Sequence, residues 1–104
     1  MFGSVLLFFS CFSNKLYSET YIHTPTISID TKEYVKTLSK GMTHYFRTQP
    51  GNNGNPTLSA SFFFIIYIIN DKRDGVGIAF GHSSEAYYVR FSGGEITYNQ
   101  IVLK

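Results

Sequence analysis

The chain has no tryptophan, one cysteine, three prolines and a charged fraction of only 15%. The lone Cys11 excludes an intrachain disulfide framework. Cys11, His23, His44 and His82 lack the close-pair spacing of a zinc site. No metal or other cofactor is therefore expected. The charged fraction lies below the usual level of about 25%. The nine basic residues are scattered, and Lys72-Arg73 is flanked by Asp71 and Asp74, so the net charge of +2 is nowhere concentrated. Tracking a phosphate backbone needs a dense basic patch, so no nucleic-acid partner is expected. No Gly-x-Ser-x-Gly elbow occurs.

What is present is aromatic and β-branched. Ten Phe and eight Tyr sit among many Ser, Thr, Asn and Gly residues. That mixture suits a β protein or a polar, sugar-like contact surface. At 104 residues the chain makes one domain with a single core and little surplus. Its strongest feature is Phe62-Phe63-Phe64-Ile65-Ile66-Tyr67-Ile68-Ile69, eight apolar residues without a polar break. The run is too short to cross a bilayer as a helix and has the length of a strand. A half-buried strand alternates apolar and polar residues, and this one does not. Both of its faces call for cover, one from the domain core and the other from a second layer or another subunit.

Residues 1–19 form an apolar leader. Val5 to Phe12 has the character of a signal-peptide core, and Phe8-Phe9-Ser10-Cys11 faintly resembles a lipoprotein cleavage site. No Lys or Arg precedes it, so the basic start of a signal peptide is missing. The other readings are a strand or short helix packed on the domain, or the trimmed end of a longer polypeptide. Contact with a membrane is expected only if residues 1–19 act as a signal or anchor.

Residues 20–104 read as one β domain. Residues 20–31 are Thr-rich and broken by Pro25, an extended connector. Asp30-Thr31-Lys32-Glu33 matches a capping box, with Asp30 accepting from the amide three residues on and Glu33 reaching back. Tyr34, Val35 and Leu38 follow at helical spacing, which predicts one short helix over 31–39 ending at Gly41. Met42 to Arg47 reads as a strand. Residues 48–57 hold two Pro, two Gly and three Asn, the composition of a loop. Strands are then predicted over 60–69, 76–80, 85–91 and 96–103. The first hairpin closes through Asn70 to Gly75, with Gly75 free to take a positive φ. The fold class is all-β, mainly an antiparallel meander or small sandwich, with the one short helix.

This order of features resembles the knob domain at the tips of pyocin and bacteriophage tail fibres. The likeness covers about two thirds of the chain, from residue 29 onward. It rests on Gly41-Met42-Thr43-His44-Tyr45-Phe46, the loop Pro50 to Pro56, and the apolar strand Phe62 to Ile69. It continues in Gly75 to Gly81, the Tyr-x-Arg strand Tyr87-Tyr88-Val89-Arg90-Phe91, the turn Ser92-Gly93-Gly94-Glu95 and the closing Ile96-Thr97-Tyr98-Asn99. In that last strand Ile96 and Tyr98 stand where the family usually carries Trp. The resemblance implies a non-enzymatic, homotrimeric tip module. Its implied role is host-cell attachment through a surface glycan or surface protein, with a virion-associated or extracellular location. The alternative is a small exported, periplasmic protein or lipoprotein.

Sugar recognition uses aromatic faces for stacking and a few fixed polar groups for hydroxyls. Tyr88 and Arg90 lie on the strand face opposite Tyr87, Val89 and Phe91, and are the first candidates. Tyr98 and Asn99 on the last strand are placed near them. His44 and Tyr45, together with Asn52, Asn53 and Asn55, are candidates for a binding loop. The plainer account is that Tyr88 and Arg90 cover a sheet face or meet a neighbouring subunit, and that the Asn residues serve turn chemistry. His82, Ser83, Ser84 and Glu85 invite a hydrolase reading. They are neighbours in one short turn, however, whereas a triad is assembled by tertiary geometry. Asp71 and Asp74 read as solvated turn charges, too few for a calcium site. The exported alternative predicts that residues 1–18 are removed or lipidated. Intact mass checks this: loss of the leader supports export, and an unmodified Met1 start argues against it.

Overall fold

The structure, a computed structural model, describes residues 22–102. The leader expected over residues 1–19 lies outside the described residues. A short helix α1 (Thr31–Val35) precedes five strands: β1 (Met42–Thr48), β2 (Phe62–Ile68), β3 (Gly75–Gly81), β4 (Ala86–Ser92) and β5 (Glu95–Ile101). They form one antiparallel sheet in the order β1-β2-β3-β4-β5. This is the expected antiparallel meander, a single five-stranded sheet among the described residues.

The register divides the sheet into two faces. Phe46, Phe64, Ala79 and Tyr87 occupy one cross-strand row, with Ile66, Gly77 and Val89 in the next. This is the inner face, where Phe62, Phe64, Ile66 and Ile68 of β2 are all buried. The segment Ile27, Val35 and Leu38 closes over it and completes the core. Phe46 stacks on Phe64 at 4.9 Å, and Tyr34 meets the edge of Phe46 at the same separation. The aromatic content of the chain is thus spent first on joining α1 to β1 and β2.

β3 supplies the space for these large side chains. Its inner positions are Gly75, Gly77, Ala79 and Gly81, all small, opposite the Phe and Ile residues of β2. A Cβ on Gly77 would overlap the carbonyl oxygen of Ile65 and reach Ile66 Cδ1 at 2.8 Å. Gly75 corrects an expectation. It is buried within β3 and has no positive φ; the left-handed residue of that turn is Arg73, at φ 63°. Asn70 makes this conformation tolerable. Its Oδ1 accepts from the amides of Lys72 (3.0 Å) and Asp74 (3.2 Å), and its Nδ2 donates to Asp74 Oδ2 (2.9 Å). Side-chain amides that mimic backbone turns are typical of Asn. At the other hairpin, Gly93 and Gly94 take φ of 61° and 83°, the pair of positive values a two-residue turn between twisted strands requires.

The helix is shorter than the spacing predicts. Asp30 caps it by accepting from Lys32 N at 2.9 Å, one residue earlier than the expected partner. Glu33 does not reach back; it pairs with Lys36 at 3.2 Å. Beyond Val35 the amides of Thr37 and Leu38 bond to carbonyls only three residues back, so the helix tightens and stops. Ahead of it, Thr26 lies parallel to Arg47 in an isolated bridge, with Ile27 N donating to Arg47 O and Arg47 N to Pro25 O, both at 2.8 Å. The connector thereby shields the outer edge of β1.

The polar loop after β1 is tied down by two asparagines. Buried Asn55 accepts from Thr48 Oγ1 at 2.6 Å and donates to the carbonyls of Gln49 and Ala60 at 3.0 Å. Asn52 Oδ1 accepts from Thr31 N, Thr31 Oγ1 and Gly54 N. Replacing one partner of a buried hydrogen-bond set leaves the others unsatisfied. Asn55→Ala is therefore expected to lower stability by about 2–3 kcal/mol, read from the urea midpoint. Gly77→Ala is expected to cost about 2 kcal/mol by overpacking. An unchanged midpoint for Gly77→Ala would mean that β3 does not pack as closely on β2 as described.

Candidate functional site

The second face of the sheet is the candidate site. Odd-numbered positions of β1 and β2 and even-numbered positions of β3 and β4 point to it. One row runs across all five strands: Tyr45, Ile65, Ile78, Tyr88 and Asn99. A second runs Arg47, Phe63, Phe80, Ala86 and Ile101, and a third Thr43, Tyr67, Val76, Arg90 and Thr97. Tyr45 and Phe63 stack at 6.5 Å, and Phe63 and Phe80 at 6.4 Å. Tyr67, Phe80 and Tyr88 are each more than 40% exposed, and Phe63, Ile65, Val76 and Ile78 are half-buried. A half-buried Ile in the middle of a sheet is screened by its cross-strand neighbours, and no described residue seals this face as α1 seals the other.

The face is graded. Over β1 to β3 it is apolar and aromatic. Over β4 and β5 it becomes polar, with Tyr88, Arg90, Thr97 and Asn99. Arg47 and Arg90 are both exposed and make no salt bridge among the described residues.

The six residues proposed from sequence divide between the two faces. Tyr45, Tyr88 and Asn99 share one row of the open face, and Arg90 stands in the next row. Tyr98 and His44 face the other way. Tyr98 opposes Val89 and meets Tyr87 edge-to-face at 6.3 Å against the core. His44 Nε2 lies 2.8 Å from the carbonyl oxygen of Ser39. Asn52 and Asn55 hold the loop together as described, so their amides serve the turn. The open face also holds residues that were not singled out: Tyr67, Phe63 and Phe80. The parity of β2 contains the signal for Phe63 and Tyr67. Placing them beside Tyr88 requires the hairpin register, which the six-residue connection 69–74 fixes.

The turn carrying His82 does not assemble a triad. His82, Ser83 and Ser84 are exposed, and their side chains make no hydrogen bond among the described residues. The loop is closed by the backbone instead, with Gly81 N donating to Glu85 O at 2.7 Å.

Comparison with family models, with curated proteins and with solved structures finds no match for this chain. The reading of the site rests on its own residues.

Tyr98 gives a test of which way β5 faces. Its hydroxyl is buried and has no hydrogen-bond partner among the described residues. Burial first, and the nearby Asp30 carboxylate second, push its ionisation well above the ordinary tyrosine range. An unfolded chain ionises this tyrosine near pH 10, while the folded chain still holds the proton. Native stability contributed by Tyr98 is therefore complete below about pH 10 and is lost as pH rises further. Tyr98→Phe removes an unsatisfied buried hydroxyl and is expected to raise stability by roughly 1 kcal/mol at neutral pH. It is also expected to flatten the alkaline fall in urea midpoint. A Tyr98→Phe profile that parallels the parent above pH 10 would place the hydroxyl in solvent.

Proposed function

We propose that this chain is a non-enzymatic contact module that works through the open face of its sheet, in the manner of a tail-fibre knob. In this reading the apolar part of the face, over β1 to β3, packs against further copies of the chain in a homotrimer. Tyr88, Arg90 and Asn99 at its polar margin receive a cell-surface glycan or surface protein outside the cell or on a virion.

The observation that carries the reading is the unbroken row Tyr45-Ile65-Ile78-Tyr88-Asn99 across five strands. Large contiguous apolar patches on small proteins mark interaction sites. A rigid sheet holds its aromatic groups in place before the partner arrives, which limits the entropy cost of binding. Tyr and Arg at a polar margin are the residue types that most often dominate contact energy.

Light scattering on the full chain tests assembly. The parent is expected to be a trimer, and Tyr67→Ser with Phe80→Ser to be a folded monomer, since both residues are solvent-accessible in the single chain. A parent that stays monomeric at high concentration would overturn the assembly half. A glycan array tests recognition: Tyr88→Ala and Arg90→Ala are each expected to weaken any bound glycan by about fivefold or more. Binding that both variants retain in full would move recognition off this margin.

A further inference from the structure

One edge of the sheet is guarded and the other is bare. The outer edge of β1 carries the connector, bonded through Pro25 and Ile27 to Arg47. β5 ends the strand order and has no described neighbour on its outer side. Its turn fixes which groups that edge presents. Gly93 and Gly94 make a two-residue turn, so Ser92 and Glu95 close it as a hydrogen-bonded pair. Antiparallel bonding alternates from there. Thr97, Asn99 and Ile101 bond inward to β4, and the N–H and C=O groups of Ile96, Tyr98 and Gln100 point outward. None of these outward groups finds a backbone partner in another described segment.

Nothing on β5 blunts this edge. The strand runs from Glu95 to Ile101 without Pro, Lys or bulge, and its single charge stands at its start. Natural sheets protect long, regular edges with such devices or cover them. The core side of the edge is also unfinished. Ile96 and Tyr98 pack on the core yet remain half-buried, and Ile101 and Val102 are exposed beyond them. A further strand would bond the outward groups and extend the cover over Ile96 and Tyr98.

We infer that Val5-Leu6-Leu7-Phe8-Phe9 of the same chain supply that strand. They are a run without charge or Pro that lies outside the described residues, and their length matches the stretch from Ile96 to Gln100. The path fits. The connector runs parallel to β1, so the chain before Pro25 arrives from the Met42 end of the sheet. β5 begins at that same end, since Met42, Ile68, Gly75, Phe91 and Ile96 share one row. From the connector to a strand beyond β5 is about 29 Å of strand spacings, and the length of β1 adds about 17 Å. Sixteen residue steps separate Phe9 from Pro25, a reach of about 53 Å. The run therefore enters antiparallel to β5, as every other strand pair of the sheet does, with Phe9 beside Ile96 and Val5 beside Gln100. It rounds the turn end and leaves the open face uncovered, so the inference does not depend on the function proposed for that face.

Amide hydrogen exchange of the full ¹⁵N-labelled chain tests the inference. The amides of Ile96, Tyr98 and Gln100 are expected to exchange at least about a hundredfold more slowly than in an unstructured peptide, equally at low and high protein concentration. Cross-linking identifies the occupant. In a Cys11→Ser background, Phe8→Cys with Thr97→Cys places two thiols at a directly opposed, non-hydrogen-bonded pair, within the reach of a disulfide. Oxidation is expected to join them within one chain, while Phe8→Cys with Thr43→Cys, on the far side of the sheet, is expected to give no bond. The spectra themselves report that each variant is folded. Exchange of the three amides at unstructured rates, or no bond between positions 8 and 97, would overturn the inference. Protection lost on dilution, or a disulfide formed between chains, would overturn it in favour of a second copy on this edge.

Discussion

The packing of β2 onto a nearly bare β3 is the constraint on which everything else depends. Phe62, Phe64, Ile66 and Ile68 all turn to one side and fill the core. They fit because β3 offers Gly75, Gly77 and Ala79 opposite them. Alternation then fixes the other side without further choice: Phe63, Ile65 and Tyr67 must point outward together. Since the whole run is apolar, one face of the sheet is a core and the other is an apolar surface that the described residues leave open. A one-residue slip would exchange the two faces. The slip is opposed by the missing Cβ atoms of β3 and by the asparagine-ordered turn that links the strands.

The polar residues secure this arrangement at its margins. Asn55 and Asn52 fasten the loop between β1 and β2 to the strand ends and to the start of α1. Asn70 organises the next turn and, by donating to Asp74, stabilises the ionised carboxylate and holds its pKa below the usual range. Three asparagines from segments rich in turn residues thus do structural work through their side-chain amides. On the open face Arg47 and Arg90 make no salt bridge among the described residues.

Much of the fold was legible from the residues. Turn chemistry at Asn70 to Asp74, at Ser83-Ser84 and at Gly93-Gly94 delimits the strands, and the meander follows from the short connections. The extent of the helix was not legible. Asp30, Val35 and Leu38 mark its register, but three-residue hydrogen bonds after Val35 end it early. The role of Gly75 was not legible for a related reason. A glycine after a charged turn signals a positive φ, whereas here Arg73 takes that conformation and Gly75 provides room. Of the site residues, Tyr88 and Arg90 could be assigned to one face by parity within their own strand. Joining them to Tyr45 and Asn99, and separating Tyr98 and His44 from them, needed the cross-strand register, which no single strand encodes.

The central claim, proposed above, is that the odd side of β2 and its neighbours, left open by the described residues, is covered by further copies of the chain. Hydroxyl-radical footprinting of the full chain, compared between a dilute monomeric fraction and an assembled fraction, measures this directly. The account predicts that Phe63, Tyr67, Phe80 and Tyr45 are labelled in the monomer and protected in the assembly, while Phe46 and Phe64 are protected in both. Equal labelling of the open-face residues in the two fractions, or their protection already in the monomer, would contradict it.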